Sequence, residues 1–134
     1  EVNEEIFAEQ NYIVTDPEPT WYEPQRAVRT SRYKYIKRYD QSNETLRWGK
    51  TCDFSLNYIS HDFWKRHGWG ELPIASEQLF DLIFDPNEAA NLVGESHMNA
   101  VLTDMRDRLD RWMHRTDDPL LNGPIPPPKK NRAS

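Results

Sequence analysis

The chain has 134 residues, room for one domain, with 37% hydrophobic and 29% charged residues and ten prolines. That balance predicts a thin core, helped by five Trp, six Tyr and five Phe, each able to bury a large area. A net charge of -5 argues against general nucleic-acid binding, and no apolar run approaches membrane-spanning length.

Glu1 to Glu5 are polar and expected to fray. Ile6 to Ile13 reads as a strand. Thr15 to Thr20 holds Asp16-Pro17-Glu18-Pro19, a loop because two prolines prevent regular pairing, and Trp21-Tyr22-Glu23-Pro24 is read as its continuation. Gln25–Thr30 and Tyr33–Tyr39 then predict a β-hairpin turning near Ser31-Arg32. Its faces are mixed: Tyr33, Tyr35 and Tyr39 share a side with Lys37, and Ile36 shares its side with Lys34 and Arg38. Asp40 to Lys50 is loop-like, and Phe54 to Ile59 fits a short strand or a helix start equally well. Ser60 is placed to cap a short helix, His61 to His67, closed by Gly68; Trp69 to Ala75 is a linker.

Glu77 to Leu92 organises the chain. Phe80, Leu82 and Phe84 recur two apart and predict one buried strand face; Leu79 and Ile83 flank Asp81 on the other. Asp85, Pro86 and Glu88 are spaced as the N-cap, first residue and capping-box partner of a helical turn. Ser96 to Arg115 is the clearest helix, with Ser96 placed to cap it. Met98, Val101, Leu102, Met105, Leu109, Trp112 and Met113 form one apolar stripe, which is core packing. Asp118-Pro119 stops the helix, and Asp117-Asp118 reads as a solvated turn. The division is a domain over 1–121 and an extended, flexible proline-rich tail over 122–134.

Charge is uneven. Residues 1–23 carry seven acids and no base, whereas 26–50 carry eight bases against Asp40 and Glu44. A basic hairpin suits an anionic ligand or an acidic neighbouring surface, and equally a solvated face. Cys52 is alone, so no internal disulfide forms and the redox compartment stays open. The first residue is Glu and no leader is visible, which suggests a piece of a longer product. No self-contained catalytic set emerges. His61 and His67 fall on nearly opposite sides of a helix, and Cys52 has no adjacent His. The expectation is therefore no catalytic residue and no metal site.

Four segments in order resemble the C-terminal subdomain of the sulfatase family. They are the strand around Phe7-Ala8-Glu9; Tyr22-x-Pro24-x-Arg26-Ala27-Val28-Arg29-Thr30 running on to Arg32-Tyr33-Lys34-Tyr35-Ile36; Leu79-Phe80-Asp81-Leu82 with Asp85-Pro86-x-Glu88-x-x-Asn91-Leu92; and Met105-Arg106-Asp107-x-Leu109-x-x-Trp112 ending in Thr116-Asp117-Asp118-Pro119. The likeness covers residues 5–121, weakest over 40–75, and leans toward bacterial relatives of heparan N-sulfatase (N-sulfoglucosamine sulfohydrolase).

The resemblance implies an α+β fold: a small antiparallel sheet of about four strands packed by one long C-terminal helix, closing one wall of a substrate cleft. It implies a parent enzyme using calcium and a formylglycine made within Cys/Ser-x-Pro-Ser-Arg. That motif is missing here, since Cys52 is followed by Asp-Phe-Ser. The chain by itself is thus expected to be inactive, with its partners being the N-terminal catalytic part and a sulfated sugar, and neither nucleic acid nor membrane. A periplasmic or secreted location would suit a bacterial sulfatase. Candidate substrate contacts are Arg26 and Arg29 as forks for sulfate oxygens, Trp21 and Tyr22 as stacking faces, and Glu9 as an acceptor for hydroxyls. Each also suits an interdomain salt bridge or packing. The alternatives are a stand-alone anion- or carbohydrate-binding module and a protein-interaction domain with a proline-rich tail.

Overall fold

The computed structural model describes residues 4–13, 21–40, 63, 66–68 and 73–127. Four antiparallel strands lie in the order of the chain: β1 Glu5–Ile13, β2 Trp21–Thr30, β3 Tyr33–Arg38 and β4 Glu77–Asp81. One helix, α1 (Asn99–Arg115), crosses one face. This is the expected α+β architecture. The expected loop at 15–20, that at 40–50 beyond its first residue, the ambiguous stretch 54–59 and most of the short helix fall outside the described residues. Of that helix, Phe63 and Arg66 are helical, and Gly68 takes a φ of 79°, suited to a glycine stop.

The β2–β3 hairpin turns at Ser31-Arg32 as read, with Arg29 opposite Lys34. β2 is longer than its sequence suggested: Trp21 to Pro24 belong to the strand, not to the preceding loop. Pro24 is tolerated because it sits in a bulge. Gln10 pairs with Gln25 and Tyr12 with Tyr22, so Glu23 and Pro24 together face Asn11 alone. The proline carbonyl still accepts the Tyr39 amide at 2.9 Å.

The core lies between sheet and helix. Val28, Tyr35 and Leu79 come from the strands, and Leu102, Met105, Leu109 and Met113 from α1, all nearly inaccessible. Phe7 stacks on Trp112 with ring centres 5.0 Å apart and planes 2° from parallel. The predicted stripe is thus the packed face. Ser96 does not cap α1; it begins a single 3-10 turn, Ser96–Met98, that leads into the helix without a side-chain cap. On the opposite sheet face the register places Ile6, Ala8, Ala27, Arg29, Lys34 and Ile36.

β4 differs from its sequence reading in length. It ends at Asp81, and a carboxylate oxygen of Asp81 accepts from the Ile83 amide at 3.1 Å, bending the chain. Ile83 and Phe84 are consequently exposed, Phe84 at 80%, instead of completing a buried strand face. The helical turn after Asp85 is also absent. Glu88 has a φ of 54°, outside the right-handed helix, and its carboxylate meets Lys34 Nζ at 2.7 Å. Asp85 instead binds the Ala89 and Ala90 amides at 3.0 and 2.9 Å, so the motif folds as a clasp.

The clasp covers the outer edge of β4. Asn91 Oδ1 accepts from Leu79 N at 3.0 Å, its Nδ2 donates to Glu77 O at 2.9 Å, and Leu92 N donates to Leu79 O. A side chain and one amide therefore stand in for a fifth strand, satisfying groups an open edge would leave unpaired. Asn91→Ala should destabilise the fold by about 1–3 kcal/mol, the cost of stranding such backbone groups. Urea unfolding followed by circular dichroism measures it; a loss near zero would mean that water serves that edge equally well.

Candidate functional site

The best-defined polar centre is an ion pair joining the middle of the sheet to the end of the helix. Arg26 is fully buried and Asp118 is 2% exposed. Arg26 Nε donates to Asp118 Oδ2 at 2.6 Å and its Nη2 to Oδ1 at 3.0 Å, a bidentate fork. Its remaining nitrogen donates to Gln10 O, Gln25 O and Asn11 Oδ1 at 3.1, 2.9 and 2.8 Å. The bulge at Pro24 is the local reason, because it interrupts the ladder beside Asn11 and leaves polar groups there for Arg26.

Asp118 is positioned by the way α1 ends. The Asp118 amide reaches back to Met113 O at 2.8 Å and the Asp117 amide to His114 O at 3.2 Å. With Asp117 at a φ of 52°, this is a Schellman stop that turns the next residue back toward the sheet. Asp118 then also caps the 3-10 turn Pro119–Asn122, accepting from Leu120 N at 3.0 Å. Burial pushes its carboxyl up, but the Arg26 and Leu120 hydrogen bonds outweigh that and hold it below the usual range. The solvated turn expected here is thus corrected: Asp117 is exposed, and Asp118 is a buried partner.

A second network ties β4 to α1. Arg106 clamps Glu77 with two bonds at 2.8 and 2.7 Å, and the Tyr35 hydroxyl donates to the same carboxylate. The Arg106 bonds hold the Glu77 carboxyl down to about 2, against burial. Burial raises the Tyr35 phenol, and Glu77 adds to that. Because the folded carboxyl lies below its ordinary value of 4.5, its contribution is full above that pH and is lost as pH falls toward about 2. Stability should therefore drop across that window, and Glu77→Gln should flatten the drop. Urea midpoints at a series of pH values measure it; an unchanged slope in the variant would show that Glu77 is not the titrating group.

The sequence-derived candidates do not converge. Arg26 is internal, with its donors taken up by the protein itself. Arg29 is exposed and three residues on, so it projects from the opposite face of β2. Glu9 pairs across from Arg26 and stays 58% exposed, with a carboxylate oxygen 3.9 Å from the guanidinium. Tyr22 is half-buried against Tyr12, and its hydroxyl accepts from Ile125 N at 3.0 Å. Trp21 opens β2 opposite Ile13, and its side chain lies outside the described residues. Three residues of the basic hairpin are matched within the fold: Arg32 to Asp81, Lys34 to Glu88 and Arg26 to Asp118.

Asp118, Asn91 and the Glu77–Arg106 clamp hold the fold together, a role that the sequence motifs containing Asn91, Arg106 and Asp118 do not reveal. The Thr-x-Asp-Pro ending was the one available sign of Asp118, because an Asp before Pro is a natural cap for a turn. Among the described residues no three His, Cys, Asp or Glu side chains converge on a common point. Among the described residues the buried aspartates are Asp81 and Asp118, each engaged by an arginine. These residues do not fit a calcium, which takes six to eight oxygens. No helix among the described residues is long and apolar enough to cross a membrane.

The small antiparallel sheet crossed by one long helix has the fold of part of solved sulfatases. A 2-O GAG sulfatase superposes with a TM-score of 0.53 at 18% identity, covering 90% of this chain and 18% of that one. A protein solved with its substrate D-glucosamine-2-N,6-O-disulfate gives 0.52 at 14% identity, over 91% and 17%. In sequence the chain is similar to an ulvan-active sulfatase of Formosa agariphila, 31% identical over 114 residues, 82% of this chain. The chain spans about a fifth of that relative, 22% of its length. No protein-family model matches the chain.

Proposed function

We propose that this chain is the C-terminal subdomain of a sulfatase that releases sulfate from sulfated or N-sulfated sugars. The observation that carries the reading is the 31% identity to the ulvan-active sulfatase, across most of this chain and little of that one. The shared sulfatase fold supports it. In this reading the subdomain supplies a rigid wall of the substrate cleft, and the Arg26–Asp118 pair fixes that wall by joining sheet to helix. The formylglycine nucleophile, the calcium and the N-terminal catalytic part belong to residues other than these. Exposed Ile6, Ile83 and Phe84 suit contact with that part. Of the candidate contacts, Glu9, Tyr22 and Arg29 keep surface from which to meet a sugar, and cleavage of N-sulfate, as in heparan N-sulfatase, is the finer form of the proposal.

Mass spectrometry of the full gene product tests this. The expected result is a formylglycine within a Cys/Ser-x-Pro-Ser-Arg motif ahead of these residues. A natural product that starts at Glu1 and carries no such residue would favour a free-standing binding module instead.

A further inference from the structure

The side of α1 next to β1 carries positive charge that the fold does not use. Arg108, Arg111, Trp112 and Arg115 are spaced three, four and seven apart, so they share one side of the helix. With Glu5, Asp110 and His114 they line a groove of about 500 Å³. Arg108 is committed, donating to Glu5 and Asp104 at 2.8 Å each. His114 lies 3.4 Å from Asp110. Arg111 and Arg115 are exposed and have no partner among the described residues. Trp112 stacks on Phe7 and also borders the groove. β1 is the edge of the sheet, and among the described residues no strand pairs with its outer side.

We propose that this groove binds a sulfated saccharide chain, with Arg111 and Arg115 taking its sulfate groups and Trp112 an adjacent sugar face. The proposal rests on the sulfatase reading above. Guanidinium forks match two oxygens of a sulfate, and two of them one helical turn apart suit a ligand that repeats its anionic groups. A single exposed ion pair contributes little, so a repeating polyanion is favoured over a lone anion. An acidic peptide laid along β1 is the competing occupant. The groove's own carboxylates favour the sugar: between its sulfates it has hydroxyl groups that can donate to Asp110 and Glu5, donors that acidic side chains lack.

Calorimetric titration of the 134-residue chain with a heparin-derived hexasaccharide, its desulfated counterpart and hexaglutamate tests this. The sulfated hexasaccharide should bind most tightly, and weaken as salt rises. The doubly substituted Arg111→Ala, Arg115→Ala chain should bind it about tenfold or more weakly, with a shallower salt dependence. Both side chains are exposed, so an unchanged thermal melt is expected and confirms that the fold is intact. Undiminished affinity in the double variant overturns the proposal. So does hexaglutamate binding as tightly as the hexasaccharide, or no binding by the unsubstituted chain. If formylglycine is present in the full gene product while binding fails, the groove alone is wrong. If formylglycine is absent while binding holds, the enzyme reading alone is wrong.

Discussion

Asp118→Ala should destabilise the fold by about 3–5 kcal/mol, because it leaves the Arg26 guanidinium charged, buried and without its carboxylate. Arg26→Met should cost a similar amount, stranding Asp118 together with the polar groups beside the bulge. Domains of this kind carry only about 5–15 kcal/mol in all, so either variant removes a large share. The double variant should lose clearly less than the two single losses added, since no unpaired charge remains buried. Urea unfolding of the four proteins gives the coupling. Strictly additive losses would show that the two side chains stabilise the fold independently, against the geometry of the fork.

Leu109→Ala should cost about 2–5 kcal/mol. Leu109 is 2% exposed, within the cluster that α1 presses onto Val28, Tyr35 and Leu79. The transition midpoint in urea should fall while its slope is unchanged, as expected for a cavity in an otherwise native fold. A change below about 0.5 kcal/mol, the range of ordinary surface substitutions, would mean that this contact is looser than described.

Periodicity made the layer of α1 on the sheet readable, because apolar side chains at helical spacing have one productive place to go. The β2–β3 hairpin was readable for the same reason, from Ser31-Arg32 between two runs rich in strand formers. Local rules failed where a distant group decided the outcome. Pro24 looked like a loop residue, yet a bulge opposite Asn11 admits it to a strand. Asp85-Pro86 looked like a helix start, yet its carboxylate binds amides four and five residues on, and Lys34 draws Glu88 away from a helical geometry. Arg26 and Arg29 looked like a pair of sulfate forks; their odd spacing in a strand separates them, and a residue 92 positions away claims the first. Nothing in the neighbourhood of Arg26 could have shown that partner.

The Arg26–Asp118 pair also bears on the proposed role. Aiming an arginine inward and filling its donors makes it a brace between sheet and helix rather than a group open to a ligand. The function proposed for the chain therefore depends on chemistry supplied by other residues of a longer enzyme. The most direct measurement is sulfate release from sulfated sugars by the 134-residue chain, alongside the full gene product that carries it. The account predicts turnover by the full product and only background release by the chain. Turnover by the chain itself would contradict it.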